Sequence, residues 1–388
     1  MQKNTYSKKS LLLHRTLKGK IEITGKTLLD SQEQLSLLYT PGVGAVSDYV
    51  GKHPEQIRKF TVKGNMVAVI SDGSAVLGLG NIGPEGAIPV LEGKCIIFKR
   101  FASVNAFPIA LNTQNTEEII SAVKAISPIF GGINLEDISA PRCFEIEERL
   151  HKELTIPVMH DDQHGTAIVV LAALTNALRV VRKNISRVHV VINGAGPAGV
   201  AVSRLLVAAG VKNIIILDSG GIIGTHRSGL VPYKKNLLKW TNKNNIQGGL
   251  RDALRGADVF IGVSRGSIMN ADDMLAMKPK AIIFSLANPI PEIMPEEARR
   301  GGAAVIATGR SDFPNQINNA LVFPGVFRGA LDHNVKAITQ EMKLHAARSL
   351  ARLVAHPRAD SIIPSIFDKR VVPAIARAIR SAKMKTSV

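Results

Sequence analysis

The stretch VMHDDQHGT at residues 158–166 combines residue types that bind metals and move protons. Two adjacent carboxylates, Asp161 and Asp162, stand between His160 and His164. Histidines four positions apart share one face of a helix, as a zinc site requires, whereas carboxylates at a turn suit Mg²⁺ or Mn²⁺. A third interpretation is that the two acids only begin a helix, where its dipole favours negative charge.

A second carboxylate pair favours the Mg²⁺ or Mn²⁺ interpretation. Glu136 and Asp137 end the apolar segment GGINLED, so both acid pairs lie at element boundaries next to turns. The predicted metal ligands are therefore Glu136, Asp137 and Asp162. Zinc is less favoured, because a glycine after the second histidine places the two histidines across the helix start and no cysteine completes a tetrahedral shell. For Asp161, helix capping and a supporting role at the metal remain equally open.

A glycine turn supplies a second candidate site. The copy of GxGxxG at residues 194–199 follows the β-branched run VHVVIN, opens a helical segment and precedes Asp218 at the end of NIIILD. This arrangement is typical of a dinucleotide site, with the pyrophosphate at a helix N-terminus. The predicted cofactor-binding residues are Gly194, Ala195, Gly196, Ala198, Gly199 and Asp218. A carboxylate at this strand end hydrogen-bonds a ribose 2′-OH, so NAD is favoured; the nearby basic residues His226, Arg227, Lys234 and Lys235 keep NADP possible.

The other copy of GxGxxG, at residues 78–83, is followed by Pro84 and Pro89. We expect these prolines to interrupt any helix, so this copy is predicted to be only a turn at the edge of a pocket.

The elements that position these residues indicate an α/β fold. From residue 159 to 319, Val/Ile-rich strands alternate with helices, which predicts a Rossmann-type doubly wound parallel sheet that binds NAD. Residues 1–158 are predicted to form a second α/β domain for substrate and metal, and the helices of 320–388 to pack back on it. Within the first domain, VAVISDGSAVLGLGNIG and KCIIFKRF are interpreted as strands, and TEEIISAVKAISPIF and CFEIEERLHKEL as helices.

The composition limits the remaining function classes. The net charge of +18 is not organised into basic runs interleaved with aromatic residues, so we expect no specific nucleic-acid binding, although the charge would attract anionic substrates. The apolar stretch AIVVLAALTNAL is too short to span a bilayer and predicts a buried helix, with no membrane association. Cys95 and Cys143 form no CxxC motif, which favours two buried thiols in a cytoplasmic protein.

Seven motifs then occur in a specific order: YTPGVG, SDGSAVLGLGNIGPEGAIPVLEGK, INLED, HDDQHGTA, NGAGPAG, SLANP and SDFPNQINNALVFPG. In this combination the chain resembles the short bacterial malic enzymes over nearly its whole length. The resemblance implies the oxidative decarboxylation of L-malate to pyruvate and CO₂, with NAD or NADP and with Mg²⁺ or Mn²⁺. It also implies a homodimer, in which Tyr39 could act in the partner's site.

The resemblance further implies individual roles. Tyr39 in YTPGVG would be the general acid, and Lys94 in LEGK the general base in contact with substrate. Asn288 in LANP and Asn319 in INNALVFPG would contact substrate or the nicotinamide ribose. A lysine can act as a base only if burial or a neighbouring cation lowers its pKa.

The chain departs from the larger eukaryotic enzymes of the family at Ser74, where those enzymes carry an arginine that clamps a substrate carboxylate. Arg310 or a neighbouring subunit is the candidate replacement. Two other functions are weighed against malate oxidation. An oxaloacetate decarboxylase would keep the metal site without net redox, and the intact GAGPAG turn argues against it. A non-enzymatic nucleotide- or nucleic-acid-binding protein is disfavoured by the retained Tyr39 and Lys94.

Overall fold

The computed structural model of the protein describes residues 2–386, and a four-stranded sheet carries the first set of candidate residues. Its strands are β1 (Met66–Ser71), β2 (Asn105–Ala110), β3 (Gly132–Leu135) and β4 (Val158–His160). They lie in the order β2-β1-β3-β4, and every neighbouring pair is parallel. Because the carboxyl ends of parallel strands meet at one edge of a sheet, the acids that follow β3 and β4 are brought together there.

Seven helices precede or connect these strands. They are α1 (Gln2–Leu17), α2 (Gln32–Leu38), α3 (Gly42–Lys52), α4 (Ile57–Phe60), α5 (Gly83–Ala102), α6 (Thr116–Ile126) and α7 (Arg142–Glu153). The helices predicted from TEEIISAVKAISPIF and CFEIEERLHKEL are α6 and α7. The Asn115 side chain caps α6 by accepting the backbone N–H of Glu117 at 2.9 Å.

Helix α5 corrects two sequence predictions. KCIIFKRF is not a strand, and the prolines after the 78–83 glycine turn do not prevent a helix. Pro84 lies in the first turn of α5, where its missing N–H is not needed. The buried side chains Ala87, Leu91, Cys95 and Phe98 recur at helical spacing, and this period outweighs the β-branched run at its centre.

Helix α8 (Asp161–Val181) connects the two sheets of the molecule. It begins directly after β4, so His160 lies before the helix and His164 within its first turn, as predicted. Its 21 residues make it long and apolar enough to cross a membrane by length and composition, which the shorter apolar run did not indicate. However, 72% of its most apolar stretch is buried inside the protein, where it packs against neighbouring helices. It is therefore a core helix.

The second sheet has six strands. They are β5 (His189–Asn193), β6 (Asn213–Asp218), β7 (Gly221–Ile222), β8 (Val259–Gly262), β9 (Ala281–Ser285) and β10 (Ala303–Thr308). Their order is β10-β9-β8-β5-β6-β7, all pairs being parallel except the short β6–β7 pair. The chain order reverses direction between β5 and β8, the position at which such sheets bind ligands. The predicted doubly wound parallel sheet is confirmed.

The helices of this second layer are α9 (Pro197–Ala208), α10 (Pro232–Leu237), α11 (Leu250–Leu254), α12 (Ala271–Met274) and α13 (Pro295–Arg300). Three more follow: α14 (Phe323–Asp332), α15 (Gln340–Arg352) and α16 (Val371–Thr386). Helix α14 packs on α5 and β3 of the first layer, whereas α15 packs on α8 and α9. The C-terminal helices therefore contact the elements of both sheets. Strand β4 extends two residues past the domain boundary predicted at residue 158.

Candidate active site

Three carboxylates converge at the carboxyl edge of the first sheet. Ligand oxygens of Glu136, Asp137 and Asp162 lie within 4.8 Å of one another. The Asp137 backbone N–H donates to Asp162 Oδ2 at 2.9 Å, which connects the turn after β3 to the first turn of α8. Asp137 Oδ2 is buried and has no hydrogen-bond partner within residues 2–386. The sequence-predicted ligands thus form one compact group.

Lys94 reaches the same group from α5. Its Nζ lies 2.8 Å from Glu136 Oε2 and forms a short ion pair with Asp161 Oδ2, and it stands 4.5 Å above the Phe323 ring. The side chain is 8% exposed, because α5 places it on the buried helix face between Leu91 and Phe98. Asp161 is therefore the direct partner of the lysine, a role that the sequence left open.

The electrostatics of this cluster are dominated by crowded acids. Burial, followed by the charge of Asp162, raises the pKa of Asp137 to about 7, and burial raises the pKa of Glu136 well above its usual range. Burial alone would lower the pKa of Lys94, but the charges of Asp161 and Glu136 raise it above its usual range. These acids therefore favour the ammonium form of Lys94, whereas a general base must be the neutral amine.

The two histidines do not form a zinc site with these acids. His164 hydrogen-bonds through Nε2 to Glu147 Oε2 at 2.9 Å, away from the three-carboxylate group. The His160 ring is fully buried, and its Nε2 lies 3.5 Å from Asp162 Oδ2. The only group of potential ligands that the described residues bring together consists of carboxylates, a donor set that suits a hard cation rather than zinc.

The 194–199 glycine turn connects β5 to α9 as the dinucleotide fingerprint requires. Gly194 has φ +123°, and a Cβ on Gly199 would overlap the Gly194 carbonyl, so both positions need glycine. A Cβ on Gly196 would meet open space, which leaves room for a ligand to approach the backbone. A cavity of about 530 Å³ opens there, lined by Gly194, Ala195, Gly196, Asp218, Tyr233, Lys234 and Ser264 among others. Ala198 lies in the first turn of α9.

Asp218 stands at the end of β6 beside this cavity, as predicted, but it is already paired. Its Oδ1 accepts Arg227 Nη1 at 2.7 Å, and its Oδ2 accepts Lys234 Nζ at 2.6 Å. Burial opposes ionisation, yet these two hydrogen bonds hold the pKa of Asp218 below its usual range. The carboxylate therefore remains an acceptor with two cations beside it.

The two predicted asparagines, Asn288 and Asn319, lie at different places in the structure. A Cβ on Gly165 would meet the Asn319 Cβ at 3.1 Å, so Asn319 packs against the first turns of α8, next to the acid cluster. Asn288 is exposed after β9, and its backbone carbonyl lies against Gly78. The 78–83 turn therefore contacts the loop that carries Asn288, and no second dinucleotide fingerprint is needed to explain it.

Tyr39 is not brought to the acid cluster. It ends α2, its side chain is 66% exposed, and its hydroxyl has no hydrogen-bond partner among the described residues. Ser74 is buried instead of facing a substrate, since it donates to Asp72 Oδ1 at 2.6 Å and accepts the Ser139 N–H at 2.9 Å. Arg310 pairs with Asp312 through Nε at 2.8 Å.

Sequence reasoning did not single out two groups that shape this site. Glu147 holds the segment around His160 and His164, and Phe323 lies under the Lys94 ammonium. The helical spacing of the apolar residues in α5 was a sequence signal that Lys94 faces the interior. No sequence signal indicated that Glu147 of α7 contacts the start of α8.

The fold and the site together define an α/β oxidoreductase with a dinucleotide turn on one sheet and a cluster of three carboxylates at the edge of the other. Two family models match the chain: "Malic enzyme, N-terminal domain" over residues 18–151 and "Malic enzyme, NAD binding domain" over residues 163–384. The chain belongs to the malic enzyme family.

Individual relatives agree with this assignment. The "Bifunctional malic/malolactic enzyme" of Bacillus subtilis is 51% identical over 382 residues, which cover 98% of this chain and 93% of that protein. The "NAD-dependent malic enzyme" of Geobacillus stearothermophilus is also 51% identical, over 98% of this chain and 80% of that protein. The crystal structure of the NAD-dependent malic enzyme of Thermotoga maritima superposes with a TM-score of 0.93 at 49% identity, covering 95% of this chain and 98% of that one.

Proposed function

We propose that the protein oxidises and decarboxylates L-malate to pyruvate and CO₂, with NAD as the preferred hydride acceptor and Mg²⁺ or Mn²⁺ as the cation. The observation that carries the proposal is the convergence of Lys94 with Glu136, Asp137 and Asp162 in a molecule that also has an intact dinucleotide turn. The acid cluster alone would suit many hydrolases, but the two features together suit a metal-assisted dehydrogenase of a hydroxy acid.

Glu136, Asp137 and Asp162 would hold the cation. Their oxygens are crowded, Glu136 and Asp137 are buried, and Asp137 Oδ2 has no hydrogen-bond partner among the described residues, so a divalent ion would neutralise charges that otherwise repel one another. The cation would supply Lewis-acid polarisation of the C2 oxygen of malate and a sink for the electrons released as CO₂ leaves.

Lys94 would accept the proton of the C2 hydroxyl while the C2 hydride passes to the nicotinamide. For this it must be a neutral amine, and the acids around it oppose that state by raising its pKa. A divalent cation bound by Glu136 and Asp162 would offset two of the three carboxylates that raise it. The Asp161 carboxylate, in direct contact with Nζ, would keep the lysine oriented toward the substrate.

The glycine turn would bind the pyrophosphate, with Asn288 and Asn319 directed at the substrate or the nicotinamide ribose. NAD is preferred because the Asp218 carboxylate at the ribose position accepts a 2′-OH and repels a 2′-phosphate. Arg227 and Lys234 moderate that repulsion, so NADP is a second, weaker substrate. The two free, buried thiols support a cytoplasmic location.

We also propose a homodimer in which Tyr39 protonates C3 of the enolate in the partner's site. Helices α2 and α3, which flank Tyr39, bury none of their residues, and they expose Leu35, Leu37 and Leu38. Such an unburied apolar surface is typical of an interface between copies.

The test is to mix the inactive variants Tyr39→Phe and Lys94→Met and let subunits exchange. About one quarter of wild-type activity should return, because half of the dimers are mixed and each has one intact site; no recovery despite exchange would place both residues in one subunit's site.

The overall proposal is tested by steady-state assay of L-malate with NAD and with NADP, with Mn²⁺ or with EDTA. NADH and pyruvate should form together, only with Mn²⁺, and faster than NADPH. If malate is inert while oxaloacetate loses CO₂ without nucleotide, the protein is an oxaloacetate decarboxylase and the proposal is wrong.

A further inference from the structure

A buried acid contacts the segment that carries Asp161 and Asp162. Glu147, in α7, is 5% exposed. Its Oε1 accepts the His160 backbone N–H at 2.7 Å, and its Oε2 accepts the Gln163 amide at 3.1 Å and the His164 ring Nε2 at 2.9 Å. One carboxylate therefore binds three donors from the five residues that end β4 and begin α8.

The same acid is connected to the C-terminal helices. Lys343, in α15, is buried, and its Nζ lies 3.0 Å from His164 Nδ1. The same Nζ lies 3.4 Å from Nε2, the ring nitrogen that contacts Glu147 Oε2 at 2.9 Å. A row of polar contacts therefore connects a buried cation, through the imidazole ring, to a buried anion.

Such a row is not needed for the stability of the core. Buried charged groups give little net stability compared with apolar side chains of the same volume, and they are best justified where geometry must be fixed. Burial alone would raise the pKa of Glu147, but His164, which hydrogen-bonds to it, and the charge of Lys343 hold that pKa well below its usual range. These contacts therefore favour the ionised form of Glu147, which accepts from three donors.

The three donors lie on both sides of the two functional acids. The His160 N–H precedes them, and the Gln163 and His164 side chains follow them. Between these anchors, Asp162 accepts the Asp137 backbone N–H and Asp161 pairs with Lys94. A rotation of this first helical turn would break the Glu147 contacts and turn Asp162 away from the other two carboxylates.

We propose that Glu147 is a positioning residue for the cation site, which sets the rotation of the α8 start so that Asp162 joins Glu136 and Asp137, with His164 and Lys343 extending this hold to α15. The inference rests on the proposed function only in taking these three acids as the cation ligands.

The test compares two neighbouring glutamates in the full-length protein. Glu147→Gln keeps the size of the side chain but removes the charge and one acceptor. Glu148→Gln is the matched control, because Glu148 is exposed and pairs only with Lys152 one turn away. Mn²⁺ alone is titrated without substrate, and the free ion is followed by its electron paramagnetic resonance signal. NADH binding to the same preparations is measured by fluorescence.

Glu147→Gln should raise the Kd for Mn²⁺ by about tenfold or more, as loss of a group that orients a metal ligand does, with NADH affinity within about twofold of wild type. Glu148→Gln should change neither value. A purely structural role would weaken both ligands together or neither.

A second pair of variants tests the same row of bonds if Glu147→Gln does not fold. In His164→Gln the side-chain amide can still donate to Glu147 and accept from Lys343. The leucine side chain in His164→Leu can do neither. Mn²⁺ affinity should be retained in the glutamine variant and lost in the leucine variant.

The inference is overturned if folded Glu147→Gln binds Mn²⁺ like Glu148→Gln, or if both His164 variants bind it equally. If the unaltered protein binds no Mn²⁺, the proposed function is overturned together with the inference. If it binds Mn²⁺ and oxidises malate while these variants bind as wild type, only the positioning role is wrong.

Discussion

Replacing Asp137 by asparagine should stabilise the protein while it removes the cation site. Asp137 is 3% exposed and its carboxyl faces Asp162, so burial and repulsion from Asp162 both disfavour its ionised form. Asparagine has the same shape, and it tolerates the left-handed backbone found here, φ +52°. The substitution therefore removes the charge without adding backbone strain.

The magnitude follows from the pKa of about 7 in the folded protein, against about 3.9 in an unfolded chain. An acid whose pKa is raised by folding is destabilising once it ionises, so stability is lost as the pH rises from about 3.9 to about 7. The loss is about 1–2 kcal/mol at about pH 5 and about 4 kcal/mol at about pH 8. The variant lacks this loss at both pH values.

The assay is urea denaturation of both proteins at these two pH values in EDTA, repeated with Mn²⁺. Without Mn²⁺ the variant should be more stable, by about 4 kcal/mol at the higher pH and about 1–2 kcal/mol at the lower. With Mn²⁺ at about 100 times its Kd, only the wild type should gain about 2.7 kcal/mol. The reasoning is refuted if the variant is less stable at both pH values, or if Mn²⁺ stabilises both proteins equally.

Four further predictions concern the same residues. Lys94→Met should lower kcat by about 100-fold or more with NADH affinity unchanged; steady-state rates and fluorescence titration check this, and near-normal turnover would remove Lys94 from the mechanism. Asp218→Asn should raise the ratio of kcat/KM for NADP to that for NAD by about tenfold, because the two cations beside it are released; an unchanged ratio would count against its role. Gly199→Ala should lower the urea midpoint and weaken NADH binding, since its Cβ overlaps the Gly194 carbonyl, and wild-type values for both would contradict the close turn. Mn²⁺ affinity should fall by up to about tenfold per pH unit below about pH 7, because Asp137 must lose its proton; calorimetric titration showing no pH dependence would exclude this coupling.

The acid cluster could be predicted from the sequence because parallel strands impose it. Glu136 and Asp137 follow β3, Asp162 follows β4, and these two strands are neighbours whose carboxyl ends share one edge. The glycine turn was equally predictable, since the strand, the turn and the helix that define it are local in the chain.

The environment of Lys94 was not predicted, because KCIIFKRF was interpreted as a strand. A local β-branched run was given more weight than the longer helical period of α5, and only that helix directs Lys94 at Asp161. The contact between Lys343 and His164 was also hidden, since the two residues lie 179 positions apart in the chain. Contacts of this kind depend on tertiary packing, which no local pattern reports.

The site for Tyr39 is a different case. The side chain is exposed at the end of α2, and the apolar residues around it are left unburied by their own chain. Sequence patterns report which residues are apolar, but not which chain covers them.

The central claim is that one site transfers the C2 hydride of malate to NAD and releases CO₂ from the same molecule. The most direct test is turnover of L-malate carrying deuterium at C2, with NAD and Mn²⁺, followed by analysis of both products. The account predicts one deuterium at C4 of each NADH and one pyruvate for each NADH formed. Accumulation of oxaloacetate in place of pyruvate, or pyruvate formed without deuterated NADH, would contradict it.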